Sequence, residues 1–327
     1  MGERPGTEQI DETTDASGVK KPKATRDAYG DTLLELGKER EDIVTLDADL
    51  SGSTKTAKFA KAFPDRFFNI GIAEQDMVGT AAGLALTGKV PFASTFAVFE
   101  TGRAWDQIRL TVCYSNTNVK LVATHSGITV GEDGASHQAL EDVALMRALP
   151  NMTVIVPSDA AETSLAIRAV ADFLGPVYVR LGRAKVPYVM PDNYEFKIGK
   201  AHVFSTGKDA NIIANGLMVD MAVRAAEMLK LEGIDCGVIN MSTVKPLDEV
   251  ALLAAAKASK ILVTAEEHSI IGGLGSAVCE FISEHSPMPV KRVGVLDTFG
   301  CSGDPDELLK FHGLTAENIA TTVRNAL

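Results

Sequence analysis

The stretch Phe67-Phe68-Asn69-Ile70-Gly71-Ile72-Ala73-Glu74-Gln75-Asp76-Met77-Val78-Gly79-Thr80-Ala81-Ala82-Gly83-Leu84-Ala85 reads as a short apolar strand, a glycine turn and a helix of small residues. Glu74 stands at the handover from strand to helix, near a helix N-terminus, where free backbone N–H groups and the macrodipole favour negative charge. Acidic residues are also ordinary in a first helical turn. Position alone therefore leaves Glu74 open as either a site or a surface feature.

The same exchange of helix and strand repeats on both sides of this stretch. Helical periodicity in ATRDAYGDTLLELGKER leads into the apolar strand DIVTLDA, and FFNIG, VPFAST, VKLVATH, MTVIVP and PVYVRL follow the same pattern. Strands that are apolar throughout and separated by helices imply a parallel sheet covered on both faces, so the fold class is α/β. Sites in such sheets lie at the carboxyl ends of the strands. Asp47, Asp49, Gly71 to Glu74, Thr95 to Phe99 and the segment from His125 onward all follow strand ends, so they are expected on one rim.

The length of 327 residues suits about two domains. Residues 1–23 carry almost no large apolar side chain and read as a disordered or partner-bound tail. Residues 24–190 form the first domain, 191–200 a linker, and 201–327 a second, smaller α/β domain that restarts with ANIIANG and continues through CGVINMST, KILVTAEE and VKRVGVL. A formal net charge of −11 argues against a nucleic-acid partner, which would want a basic face. Cys113, Cys236, Cys279 and Cys301 show neither metal-site nor disulfide spacing. No apolar run reaches transmembrane length and no signal-peptide core is present, so no membrane association and a cytoplasmic location are expected.

Three further motifs carry polar or aromatic chemistry. His125-Ser126-Gly127-Ile128-Thr129-Val130-Gly131-Glu132-Asp133-Gly134-Ala135-Ser136-His137-Gln138 gathers His125, Asp133 and His137 in a glycine-rich loop. Two histidines and an aspartate could ligate a metal, but nothing nearby completes a set. Phe96 and Phe99 lie just past a strand, where they could pack in a core or stack on a flat ring. Gly272-Gly273-Leu274-Gly275-Ser276 is better explained by a tight turn and close helix packing than by dinucleotide binding, because His268 to Ile271 separate it from its strand.

IGIAEQDMVGTAAGLALTG, STFAVF and ATHSGITVGEDGASHQALED together resemble the pyrimidine-binding (thiamine diphosphate-fold) domain of transketolases, and residues 201–327 are similar in pattern and position to the transketolase C-terminal domain. The resemblance implies that Glu74 hydrogen-bonds the ring nitrogen of the thiamine diphosphate aminopyrimidine, where a shared proton activates the cofactor. It also implies that Phe96 and Phe99 form the pocket for the pyrimidine ring and that Asp49 lies near the cofactor at a subunit interface. Arg26, Ser53, His125 and Arg183 would hold a sugar phosphate, Asp133 a substrate hydroxyl, and His137 the cofactor amine and reacting oxygens, with His125, His137 and Asp133 orienting substrate and moving protons. Asp47 has no implied role, and Gly102 stands where many family members carry a tyrosine. His268 resembles a loop residue of the superfamily, and the helix bearing Trp105 and Arg109 is expected to face a partner subunit.

The family's GDG motif, with its downstream Asn that anchors the magnesium or calcium of the diphosphate, is missing from these residues. The expectation is therefore the C-terminal subunit of a two-chain transketolase, moving a two-carbon ketol group between sugar phosphates. It would pair with an N-terminal diphosphate-binding subunit that holds the Mg or Ca ion, with this chain as a homodimer inside a heterotetramer. The alternatives are a deoxyxylulose phosphate synthase-like or 2-oxo acid dehydrogenase beta-like subunit, or a non-catalytic regulatory subunit of the same fold.

Overall fold

Each of the six apolar runs in the first domain becomes a strand, because a continuous apolar segment can be buried on both faces only inside a covered sheet. In this computed structural model, which describes Thr14 and residues 20–327, the strands in chain order are β1 (Lys23–Ala24), β2 (Ile43–Asp47), β3 (Phe67–Asn69), β4 (Val90–Ser94), β5 (Lys120–Ala123), β6 (Thr153–Ile155), β7 (Val177–Arg180) and β8 (Lys185–Val186). The second half supplies β9 (His202–Ser205), β10 (Ala210–Ala214), β11 (Cys236–Asn240), β12 (Thr243–Lys245), β13 (Ile261–Ser269) and β14 (Val290–Val295). One sheet has the order β12-β6-β7-β5-β4-β2-β3 and a second the order β14-β13-β10-β11-β9.

Helices cover both faces of the first sheet. Met77, Val78 and Ala81 of helix Glu74–Leu86 pack with Leu46, Ala93 and Leu121 on one side. On the other, Tyr29, Leu33 and Leu36 of helix Thr25–Glu39 pack with Ile43, Phe92 and Val122. The parallel pairs β2–β3, β2–β4, β4–β5, β5–β7 and β6–β7 bring their carboxyl ends to one edge, as the sequence pattern predicts.

Three features depart from the sequence reading. The chain leaves the second sheet just after β11: from Thr243, the last residue of CGVINMST, β12 crosses to pair antiparallel with β6, through Thr243↔Ile155 and Lys245↔Val154, and sews the two domains together. β13 runs on through Glu266 to Ser269, so His268 lies in a buried strand rather than in a loop. Of the expected tail, residues 1–13 and 15–19 lie outside the described residues, whereas Lys20–Lys23 belong to the fold. Lys23 and Ala24 pair with β8, and Lys23 binds Asp31 at 2.8 Å.

Buried polar groups seal the junction between domains. Asp142 accepts hydrogen bonds from Tyr178 Oη at 2.7 Å and Arg180 Nε at 2.8 Å, while Arg180 Nη2 donates to the carbonyls of Ala139 and Glu267. Glu267 Oε1 accepts from the Thr129 N–H at 2.8 Å. Gly127, at φ +77°, passes so close that a Cβ would lie 2.2 Å from the Glu267 carboxyl carbon, so only glycine fits. Gln138 Nε2 donates to the carbonyl of Cys301 at 2.9 Å. The second domain thus shapes the His125–Gln138 loop from behind.

Candidate functional site

The rim is built upward from Asp47, the last residue of β2. Its fully buried carboxylate accepts from the Leu50 N–H at 2.6 Å, Thr54 Oγ1 at 2.6 Å and Thr56 Oγ1 at 2.8 Å. Burial pushes this carboxyl above its usual range, and the three donors oppose that rise. Asp47, to which the resemblance gives no role, is the anchor of the loop that presents Ser53.

Ser53 enters through its carbonyl, which accepts from Arg26 Nη1 at 3.1 Å. The same Arg26 nitrogen lies 2.9 Å from His125 Nε2. A guanidinium can only donate, so Nε2 accepts and the ring proton sits on Nδ1, which donates to Thr124 Oγ1 at 2.8 Å. Burial, then the charges of Arg26 and Arg183, push the His125 imidazole down to about 3. Proton shuttling by His125, one of its expected roles, conflicts with this environment: the ring is held neutral and serves as an acceptor that aims Arg26.

The aromatic residues join this grip to Glu74. Phe96 stacks on the His125 ring with centroids 3.8 Å apart and on Phe99 at 5.8 Å, and His137 stands edge-on to Phe99 at 5.3 Å. His137 Nδ1 shares a hydrogen bond with Ser136 Oγ at 2.9 Å. Glu74 opens helix Glu74–Leu86 and is only 5% exposed. Its Oε1 accepts from Arg103 Nη1 at 2.9 Å, and the Arg103 guanidinium lies 4.1 Å over the Phe99 ring. Beside this pair opens a recess of about 460 Å³ lined by Ile72, Ala73, Glu74, Gln75, Asp76 and Arg103.

Asp49, at φ +64°, reaches Asn69 rather than the recess directly. Asn69 Nδ2 donates to Asp49 Oδ1 at 3.0 Å, and Asn69 Oδ1 accepts from the N–H groups of Asp49 and Gly71, both at 3.1 Å. Asp133 and Arg183 form a separate pair at the loop edge: Arg183 Nη1 donates to the Val130 carbonyl and lies 3.5 Å from Asp133 and 3.4 Å from Glu132. The structure therefore links Phe96, Phe99, His137, His125, Arg26 and Ser53 in one cluster, and Arg103 joins Glu74 to it by lying over Phe99. Asp49 is linked through Asn69, and Arg183 acts on His125 by charge.

Asn69, Arg103, Thr124 and Glu100 escaped the sequence reading as site members. Glu100 is fully buried, and neither carboxyl oxygen has a hydrogen-bond partner. Burial, then the charges of Asp47 and Glu74, raise it well above the usual carboxylate range. Its signal in the sequence was a carboxylate three residues before an arginine in an otherwise apolar helix. Trp105 is half-buried, packs on the core and donates to the Leu145 carbonyl at 3.3 Å. A Cβ at Gly102 meets nothing within 4 Å, so packing does not demand glycine there.

A buried carboxylate beside a recess and paired phenylalanines fits the pyrimidine half of thiamine diphosphate. Among the described residues no group of three His, Cys, Asp or Glu is arranged to hold a metal ion. No helix among the described residues is long and apolar enough to cross a membrane.

Two α/β domains, with acidic, aromatic and basic side chains converging on the carboxyl edge of the first sheet, define a cofactor-site architecture of the doubly covered parallel-sheet class. Residues 21–189 match the transketolase pyrimidine-binding domain and residues 199–319 the transketolase C-terminal domain. The chain belongs to the transketolase family. It is 53% identical over 304 residues to a putative transketolase C-terminal section of Methanocaldococcus jannaschii, covering 92% of this chain and 95% of that one. A 6-deoxy-6-sulfo-D-fructose transketolase subunit of Clostridium sp. (strain MSTE9) is 44% identical, covering 90% and 91% respectively. A solved structure described as a split gene transketolase, inactive beta4 tetramer, superposes with a TM-score of 0.87 at 54% identity, covering 93% of this chain and 98% of that one.

Proposed function

We propose that this chain is the C-terminal, pyrimidine-binding subunit of a two-chain transketolase that moves a two-carbon ketol group from a ketose phosphate to an aldose phosphate. The observation that carries the reading is the placement of Glu74 beside an open recess, with Phe99 and Phe96 leading from its Arg103 partner to the Arg26–His125–Ser53 grip. Relatives of matching length that are named as a section or a subunit support the two-chain form. A similar chain described as an inactive tetramer supports the view that this one needs an N-terminal diphosphate-binding partner, which would hold the Mg or Ca ion. The expected setting is the cytoplasm.

Thiamine diphosphate, when bound, supplies the nucleophilic carbon and electron sink for breaking a bond beside a ketone. Glu74 would hold a proton at the pyrimidine ring nitrogen, and Phe96 and Phe99 would exclude water and flank the ring. Arg26 and Arg183 would bind the substrate phosphate, with Ser53 and neutral His125 setting the angle of Arg26. His137 would hold or move a proton at the substrate oxygens, and Asp133, beside Arg183, would meet a substrate hydroxyl. Asp49 would support the cofactor side of the interface through Asn69.

Ketol transfer from xylulose 5-phosphate to ribose 5-phosphate, with thiamine diphosphate and magnesium, tests the reading. Activity is expected from the chain with its partner and not from the chain alone. An intact pair that binds cofactor yet transfers from no ketose phosphate would reject it. The sulfo-sugar named for one relative makes 6-deoxy-6-sulfo-D-fructose the second donor to try.

A further inference from the structure

The side chain lying against Glu74 has the shape of what that pocket is built to take. Arg103 places a flat, nitrogen-rich cation over the Phe99 ring at 4.1 Å and donates from Nη1 to Glu74 Oε1 at 2.9 Å. Stacking on an aromatic and sharing a hydrogen bond with the Glu74 carboxyl group are the two interactions that an aminopyrimidine would make at the same place, its ring nitrogen taking part in place of the guanidinium. The fit is asymmetric: Glu74 is 5% exposed but the Arg103 side chain 51%, so the arginine covers the carboxylate from its open side. The main chain holds Arg103 in place, since Gln75 Nε2 donates to its carbonyl at 3.0 Å. Its side chain is free to swing out without disturbing that bond.

We infer that Arg103 is a resident placeholder for the pyrimidine ring: it occupies Glu74 and Phe99 in the cofactor-free chain and must be displaced for thiamine diphosphate to bind. This inference rests on the pyrimidine-site reading above. Before cofactor arrives, the guanidinium keeps a buried carboxylate paired and leaves the aromatic face covered. A carboxylate whose oxygen is given to Arg103 is not available to share a proton with a ring nitrogen, so the chain is off until the arginine leaves. Displacement costs one charge-assisted hydrogen bond and one cation–π contact, and that cost is subtracted from cofactor affinity.

Calorimetric titration of thiamine diphosphate, with magnesium, into the complex of this chain and its partner tests the inference. Arg103→Ala is expected to bind about tenfold tighter than the native complex, equivalent to about 1.4 kcal/mol. Arg103→Lys keeps the charge but lacks the flat fork, and should fall between them. Equal or weaker binding by Arg103→Ala, with an unchanged unfolding midpoint, overturns the placeholder while leaving the pyrimidine site standing. A native complex and an Arg103→Ala complex that both bind no thiamine diphosphate overturn the pyrimidine-site reading as well.

Discussion

Two helices in this molecule begin just after a strand, and each has a buried glutamate at its N-terminus, yet they put that carboxylate to opposite use. At Leu274–His285, Glu266 of the preceding strand accepts from the N–H groups of Leu274 at 2.7 Å and Gly275 at 2.8 Å. That helix end is filled from within, and a Cβ at Gly273 would lie 2.1 Å from the same carboxylate. At Glu74–Leu86 the glutamate belongs to the helix itself, and its carboxylate meets an arginine and an open recess. The rim of the second sheet is consumed by structure, with Glu266, Glu267 and His268 all buried at or beside the domain junction. The two buried carboxylates differ in what lies beside them: an open recess at Glu74, and packed helix backbone at Glu266.

Substitutions at the two rims sharpen that contrast. Glu74→Ala should lower ketol transfer in the assembled complex by about 10²–10⁴-fold, the range for a lost general acid–base group, with little change in the unfolding midpoint. Asp142→Ala should do the reverse. It strands the buried Arg180 charge, and chemical denaturation should show a loss of about 3–5 kcal/mol. Glu266→Ala removes an internal helix cap and should cost about 1–2 kcal/mol in the same experiment. An activity loss at Glu266 without a stability loss would break the comparison.

A pH dependence is expected as well. His125 sits at about 3 in the folded chain against an ordinary 6.5, so the unfolded chain takes up the proton first. Its contribution is fully present above pH 6.5 and is lost as the pH falls from there toward 3. His125→Asn should flatten this part of the acid unfolding curve, and the native imidazole should stay neutral by NMR at pH 5. A protonated ring at pH 5 would restore His125 as a proton carrier.

The six apolar runs from DIVTLDA to PVYVRL determined six of the first sheet's seven strands, because an apolar run carries the demand for burial in its own residues. The change from strand to small-residue helix at Ile70 to Gly79 likewise located Glu74 at a helix start, and the glycine-rich pattern in GEDGASH marked a loop. Only the tertiary structure decided who meets whom. Arg103 reaches Glu74 across 29 positions, Arg26 reaches His125 across 99, and Glu267 shapes a loop 138 residues away. β12 left its sequence neighbours for another domain's sheet edge. Periodicity and turn chemistry act over a few residues and can be read locally. Pairing of buried charges depends on which distant segments the packed core brings together, and neither partner's neighbours in the chain encode that meeting.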